Sequence, residues 1–272
     1  MRTVIICPEL VSVLKRLRLG GIIPTLPERI QLADKQSMSI PDFLLLVLSD
    51  ETSRRDSTAV QRRAAEAKLD PDMTLERFDT SSNITYDKRL VAELCSLRFL
   101  EAHKHVTIMG PVGVGKTFLA SALGHIACRH AYSVLFTRAD EMLQELKQSR
   151  FDNSRDERML KLTTVDLLIL DDFAMDQMSK DESKDVYQLF VERSGRASTI
   201  VTTNRDTTEW LAMFDDTLRA QSAVDRFRNA AYDLVIEGET YRSRLKPKLD
   251  PESPPPDSPT VKKPGSPRRR SR

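Results

Sequence analysis

Two hydrophobic rhythms divide the chain. Over residues 8 to about 70, apolar positions recur at helical spacing. Leu10, Val13, Leu14 and Leu17 repeat on one face, and Phe43, Leu44, Leu45, Val47 and Leu48 make a second apolar segment. Ser39-Ile-Pro41-Asp42 has the make-up of a helix start, with proline early in the first turn where its missing N–H costs little. A third, polar helix over about 50–68 carries Arg54, Arg55, Arg62, Arg63 and Lys68, with Arg55 and Arg62 sharing a face. From residue 105 the rhythm changes to strand–helix alternation. Strands are expected at 105–109, 133–137, 166–170, 198–203 and 234–237, with helices at 116–130, 139–147 and 184–193. Strands separated by helices predict an α/β fold, a parallel sheet covered on both faces. The expected organisation is a small helical domain over 1–70, an α/β domain over 71–246, and a tail over 247–272.

The tail differs in composition. It holds eight of the 14 prolines, and it carries seven Lys/Arg against three Asp/Glu. A segment so poor in apolar side chains cannot offset its ordering entropy, so it reads as disordered. Overall net charge is only +2, so the first 246 residues sum to −2 and any nucleic-acid contact needs local basic patches. No stretch approaches the roughly 18 uninterrupted apolar residues that span a bilayer, and Pro8, Glu9 and Lys15 interrupt the only N-terminal candidate for a signal. No membrane partner is expected. Cys7, Cys95 and Cys128 are odd in number with no CxxC pair, which argues against disulfides or zinc and favours a reducing cytoplasm.

The chemistry sits between the first strand and helix of the alternation. Gly110-Pro111-Val112-Gly113-Val114-Gly115-Lys116-Thr117 fits GxxxxGK[ST] in every fixed place. The glycines let backbone N–H groups turn towards phosphates, and the following helix adds its positive dipole end. Lys116 would neutralise β/γ charge and the Thr117 hydroxyl would ligate Mg²⁺ of bound ATP. The apolar run Leu167-Leu-Ile-Leu170 then ends in Asp171 and Asp172, at the end of a buried strand where ligands collect. Asp171 is expected to hold the magnesium through water, and Asp172 to orient or deprotonate the attacking water. Asn204, closing the 198–203 strand, suits holding that water, while Arg226 and Arg242 follow in the order expected of phosphoryl-stabilising arginines. The reading is an ATPase.

These elements, in this order, resemble the AAA+ ATPases of the initiator and loader branch, and more narrowly the IstB-like transposition helper ATPases. The resemblance spans roughly residues 8–246. It rests on Leu17-Arg-Leu-Gly20-Gly21, Phe43-Leu-Leu-Leu-Val-Leu48, Leu75-Glu-Arg-Phe78-Asp79, the phosphate loop, and Asp166-Leu-Leu-Ile-Leu-Asp-Asp-Phe173. Ser198-Thr-Ile-Val-Thr-Thr-Asn-Arg205, Glu209-Trp210, Asp225-Arg226-Phe227 and Gly238-Glu-Thr-Tyr-Arg242 complete it. The resemblance implies a homo-oligomer that assembles on duplex DNA with ATP, remodels it, and recruits and stimulates a partner transposase. It also implies that Arg226 is an arginine finger acting across a subunit interface, that Arg242 is the second sensor, and that Phe78 lies near the adenine. Ala174 stands where the family favours Gly, and Thr240 replaces a usual Ser. Asp172, shorter than the Glu that other AAA+ proteins use, implies slow turnover. Too few residues follow the last strand for a helical lid, so the nucleotide is expected to be covered by a neighbouring subunit.

For DNA, two basic segments stand out: Arg54, Arg55, Arg62 and Arg63, and a stretch with Lys147, Arg150, Arg155 and Arg158, where the resembled branch inserts its DNA-facing element. Neither interleaves aromatics as a single-strand stacking platform does, so contacts to duplex backbone are expected. The nearest rival is a replicative helicase loader of the same ATPase branch. A small-molecule kinase on the same loop is disfavoured by the Asn204, Arg226 and Arg242 series, and an inert binding module by the intact Lys116, Thr117, Asp171 and Asp172.

Overall fold

A computed structural model of the chain describes residues 5–78 and 84–240. The N-terminal part is helical: α1 (Pro8–Arg16), α2 (Leu26–Gln36) and α3 (Ile40–Glu66), with a short 3₁₀ turn at Gly20–Ile22. α3 starts as expected, with Pro41 in its first turn and the Ser39 hydroxyl accepting the Asp42 N–H at 3.3 Å. It does not break near residue 50. The expected second and third segments are one helix of 27 residues, roughly 40 Å long. No glycine or proline interrupts it after Pro41, and its two ends bury different faces. Val47 joins Ile22 and Leu26 in a small core with Leu14 and Phe43 beside it, whereas Ala64 joins the large core of the α/β body. No single stripe runs along the helix, which is why its pattern reads as two elements. Between the ends, buried Glu51 accepts hydrogen bonds from Arg54 and Arg55, and these, Arg54 first, hold its carboxyl at about 2.

β1 (Ile84–Thr85), α4 (Lys88–Cys95) and the single-turn α5 (Arg98–Glu101) lead into the body, none of them foreseen from periodicity. The body then alternates β2 (His105–Met109), α6 (Lys116–Arg129), β3 (Val134–Arg138), α7 (Ala139–Ser149), α8 (Arg155–Thr164), β4 (Leu167–Asp171), α9 (Lys180–Arg193), β5 (Ser198–Thr203), α10 (Thr217–Arg228), β6 (Ala231–Val235) and β7 (Glu237–Gly238). Five parallel strands take the order β3-β4-β5-β2-β6, and β7 pairs antiparallel with β1. Alternate side chains of one strand enter opposite layers. Leu167 and Ile169 face the core shared with α6, while Leu168 and Leu170 face the core shared with α7, α9 and α10. Both faces are dry, so β4 reads as an unbroken apolar run.

α3 is fixed to this body at the β3 edge. The Phe136 N–H donates to the Ala67 carbonyl at 2.8 Å, and Arg63 Nε donates to the Cys128 carbonyl at 2.9 Å. The last sheet strand begins earlier than expected, at Ala231, because only Leu234 of this edge strand is fully buried. Among the described residues all three cysteines are free, and no helix is long and apolar enough to cross a membrane. Arg242 and the 247–272 tail lie outside the described residues.

Candidate functional site

The strand order places β5 between β2 and β4, so three strand ends meet at one edge of the sheet. β2 delivers the phosphate loop, β4 delivers Asp171 and Asp172, and β5 delivers Asn204 between them. The loop glycines are needed where they stand. Gly113 and Gly115 have φ of +84° and +98°, and an added Cβ would strike Thr240 at the first and approach the Phe78 ring at 3.2 Å at the second. Thr240 thus passes directly over the loop, carried there by the β1–β7 pairing. Phe78 packs on Phe118 (centroids 5.6 Å apart) and on Tyr86 (6.0 Å), an aromatic wall beside the loop.

Lys116 is buried with its ammonium folded onto the loop. Nζ donates to the Gly110 and Pro111 carbonyls at 2.8 Å and to Asn204 Oδ1. Thr117 Oγ1 donates to Asp171 at 2.9 and 3.1 Å, and Thr202 Oγ1 donates to the same carboxylate at 2.6 Å. Burial raises the Asp171 pKa, and the hydroxyls of Thr202 and Thr117 oppose that rise. Asp172 turns out of the strand with φ +54°, and its carboxylate faces Arg138 Nη2 at 3.9 Å. Lys116, Thr117, Asp172, Asn204 and the loop line a cleft of about 320 Å³ with Met73 and Met175 at its rim. The adjacent hydroxyl and carboxylate of Thr117 and Asp171 form a hard-oxygen pair that fits a magnesium ion.

Arg226 is not in this cleft. Its neighbour Phe227 stacks on His105 at 4.7 Å, at the start of β2, whereas the phosphate loop leaves the other end of that five-residue strand. Arg226 is exposed at the opposite end of the sheet from its own loop.

Of the eight basic residues expected at DNA, several are engaged within the chain. Arg54 and Arg55 hold Glu51, and Arg63 holds the α6 backbone. Arg150 and Arg155 both bind buried Asp185, at 2.6 and 2.7 Å. Arg62 is exposed with a 3.7 Å pair to Glu66, Lys147 is exposed, and Arg158 pairs with Glu145 at 3.4 Å. Lys68 approaches the same Glu145 at 3.8 Å, so two cations share one carboxylate, and Lys161 lines the same small cleft. The expectation that neither basic segment interleaves an aromatic is corrected here: the second contains Phe151, 87% exposed in the turn between α7 and α8.

Sequence reasoning missed Thr202, Arg138 and the approach of Thr240. A strand-end rule would have flagged Arg138, which is in register with Asp171 on the neighbouring strand.

The fold and the converging loop, carboxylates and asparagine define a P-loop AAA+ ATP-binding protein. More narrowly, the chain belongs to the family of IstB-like ATP binding proteins, whose family model matches residues 12–249. An insertion-sequence ATP-binding protein of Mycobacterium tuberculosis is 34% identical over 241 residues, covering 88% of this chain and 96% of the relative. The insertion sequence IS21 ATP-binding protein of Pseudomonas aeruginosa is 32% identical over 240 residues, covering 88% and 91%. Among solved structures, the crystal structure of DnaI superposes with a TM-score of 0.52 at 24% identity, over 60% of this chain and 90% of that one, a likeness of fold.

Proposed function

We infer that this protein hydrolyses ATP, assembles as a homo-oligomer on duplex DNA, and recruits and stimulates a partner transposase. The observation that carries the reading is the division of the phosphoryl-transfer groups. Loop, Asp171, Asp172 and Asn204 converge at one end of the sheet, while Arg226 is displayed at the other. A molecule so divided completes its site with the Arg226 of a neighbouring copy. That its relatives are insertion-sequence ATP-binding proteins supports the transposition setting.

In this reading the loop amides and Lys116 bind and orient the phosphates, and Phe78 with Phe118 walls the base side. Magnesium, held by Thr117 and Asp171, would neutralise phosphate charge. Asp172 and Asn204 position the attacking water, with Asp172 as its base. Arg242 would act as the second sensor, being two residues beyond Thr240, which lies over the loop. The exposed cations Arg62, Lys68, Lys147, Arg158 and Lys161 make non-sequence-specific backbone contacts, steeply salt-dependent. Free thiols support a reducing, cytoplasmic setting. The helical N-terminal part offers protein contacts, since Leu10, Val13, Leu17, Leu44, Leu45 and Leu48 are exposed on it.

One observation favours the alternative of a helicase loader: Phe151 displays a ring on which an unpaired base could stack. Sedimentation and negative-stain sizing with a slowly hydrolysed ATP analogue separate the two. Large assemblies that need both nucleotide and duplex, and that vanish in Lys116→Ala, are expected. Assembly on single strands alone would replace this reading with the loader.

A further inference from the structure

We propose that Thr202 is a positioning residue that couples the magnesium carboxylate of Asp171 to the backbone of Asp172. This inference rests on the ATPase reading of the same site. Thr202 is fully buried on β5, and its hydroxyl makes two bonds to consecutive residues of the neighbouring strand end. Oγ1 donates to Asp171 Oδ1 at 2.6 Å and accepts the Asp172 N–H at 3.0 Å. The direction of both is forced. An ionised carboxylate only accepts and an amide N–H only donates, so the single hydroxyl proton must point at Asp171 and a lone pair at Asp172. The result is a directed relay, amide to hydroxyl to carboxylate, in which each bond polarises the next.

The relay sits where the backbone needs it. Asp172 is left-handed at φ +54° and Ala174 at +58°, conformations that cost a residue with a Cβ about 1–2 kcal/mol each. β5 holds this turn at three points. Beyond the Thr202 hydroxyl on the Asp172 amide, the Thr202 carbonyl accepts the Phe173 N–H at 2.9 Å, and the Thr203 hydroxyl donates to the Phe173 carbonyl at 3.0 Å. Two of the three are backbone or Thr203 contacts that any residue at 202 would leave in place. The hydroxyl of Thr202 is the anchor that bonds both the turn and the Asp171 carboxylate. Thr117 also donates to Asp171, but the loop motif assigns its hydroxyl to the metal. Thr202 has no second task. It keeps Asp171 facing the metal position, and through the same oxygen it fixes where Asp172 begins.

Thr202→Val keeps the shape and removes the hydroxyl; Thr202→Ser keeps the hydroxyl and removes a methyl. Amide hydrogen exchange, read by NMR at two adjacent residues, supplies an internal control. In Thr202→Val, exchange at Asp172 should rise about 10-fold, the scale of one lost hydrogen bond, while Phe173, bonded to the backbone of residue 202, stays protected. Binding of a fluorescent ATP analogue should weaken about 10-fold with magnesium and hardly at all without it. Thr202→Ser should recover most of both effects. Equal loosening at 172 and 173, or equal losses in the Ser and Val variants, would reduce Thr202 to packing and overturn the proposal. So would unchanged values in both measurements. Should Thr202→Val not fold, Thr202→Cys, whose thiol is a weak donor, should give the same pattern in milder form. Neither readout needs turnover, so a wild-type protein without ATPase activity would overturn the catalytic reading and leave this test in force.

Discussion

Two leucine-rich runs in this chain meet opposite fates. Leu167-Leu-Ile-Leu170 is wholly buried, its alternate side chains filling two layers of the α/β body. In Phe43-Leu-Leu-Leu-Val-Leu48 only Val47 is buried, and Leu44, Leu45 and Leu48 are 52%, 67% and 47% exposed. The difference is one of supply. A strand between two helical layers has partners on both faces, whereas the first half of α3 shares a small core with α1, α2 and the 3₁₀ turn, in which three apolar residues are buried. The body is self-sufficient. The helical part leaves apolar surface that a monomer gains nothing by showing, and that surface suits a protein partner.

The sharpest way to break this comparison is to truncate one residue in each run. Ile169→Ala should cost about 4 kcal/mol, the transfer of the lost atoms plus a cavity between strands that cannot collapse. Leu45→Ala should stay within about 0.5 kcal/mol in urea denaturation of the monomer, as for other surface positions. A large loss in Leu45→Ala would mean that the helical part packs more tightly than its exposure indicates.

Acid should act on the body next. His105 stacks on Phe227, its Nδ1 accepts the Thr199 N–H at 3.1 Å, and burial, then the charges of Arg193 and Lys104, push its pKa down to about 4. The unfolded chain takes up that proton near pH 6.5, so between these values the unfolded state binds more protons. The stability is fully present above pH 6.5 and is lost as pH falls towards 4, by about 2 kcal/mol at pH 5 and about 3 kcal/mol in full. Glu51 and Glu76, both held at about 2, lose their contributions as pH falls from the ordinary carboxylate range towards that value. Denaturation curves at pH 7 and pH 5 should therefore differ, and His105→Phe should bring them together. A difference that survives in His105→Phe belongs to other groups.

How much of this was legible follows from the same contrast between local and distant causes. Contiguous chemistry could be read: the phosphate loop, the Asp171-Asp172 pair and Asn204 lie at strand ends where the alternation puts them, and β5 spans the expected residues. The start of α9 carries a local signal beyond periodicity: Ser179 and Glu182 form a capping box, and the helix begins at Lys180, four residues before the expected start. The role of Thr202 arises from how β4 and β5 lie side by side, and no spacing along one strand reveals it. Which cations of the basic segments are displayed to solvent is hard to read for a related reason. Whether Arg150 and Arg155 face solvent or Asp185 depends on a partner at least 30 residues away. The break expected inside α3 is missing because its two ends bury different faces, so one continuous helix shows no single apolar stripe.

The smallest effect, and the finest comparison of the two regions, uses the same backbone strain twice. Ser37 ends α2 in the left-handed region at φ +50°, exposed, while Ala174 adopts φ +58° buried behind Asp172. Glycine relieves about 1–2 kcal/mol of such strain and returns about 0.5–1 kcal/mol as unfolded-state entropy. At Ser37 nothing else is lost, so Ser37→Gly should stabilise by about 0.5 kcal/mol. At Ala174 the buried methyl is worth a further ~0.8 kcal/mol, which offsets the gain, and Ala174→Gly should be neutral within error. Thermal melts of the two variants test this directly. If Ala174→Gly stabilises as much as Ser37→Gly, the methyl is not packed, and the turn that carries Asp172 is looser than its three anchors on β5 require. If it destabilises, packing around residue 174 exceeds the strain, and the alanine there is part of what holds Asp172 in place.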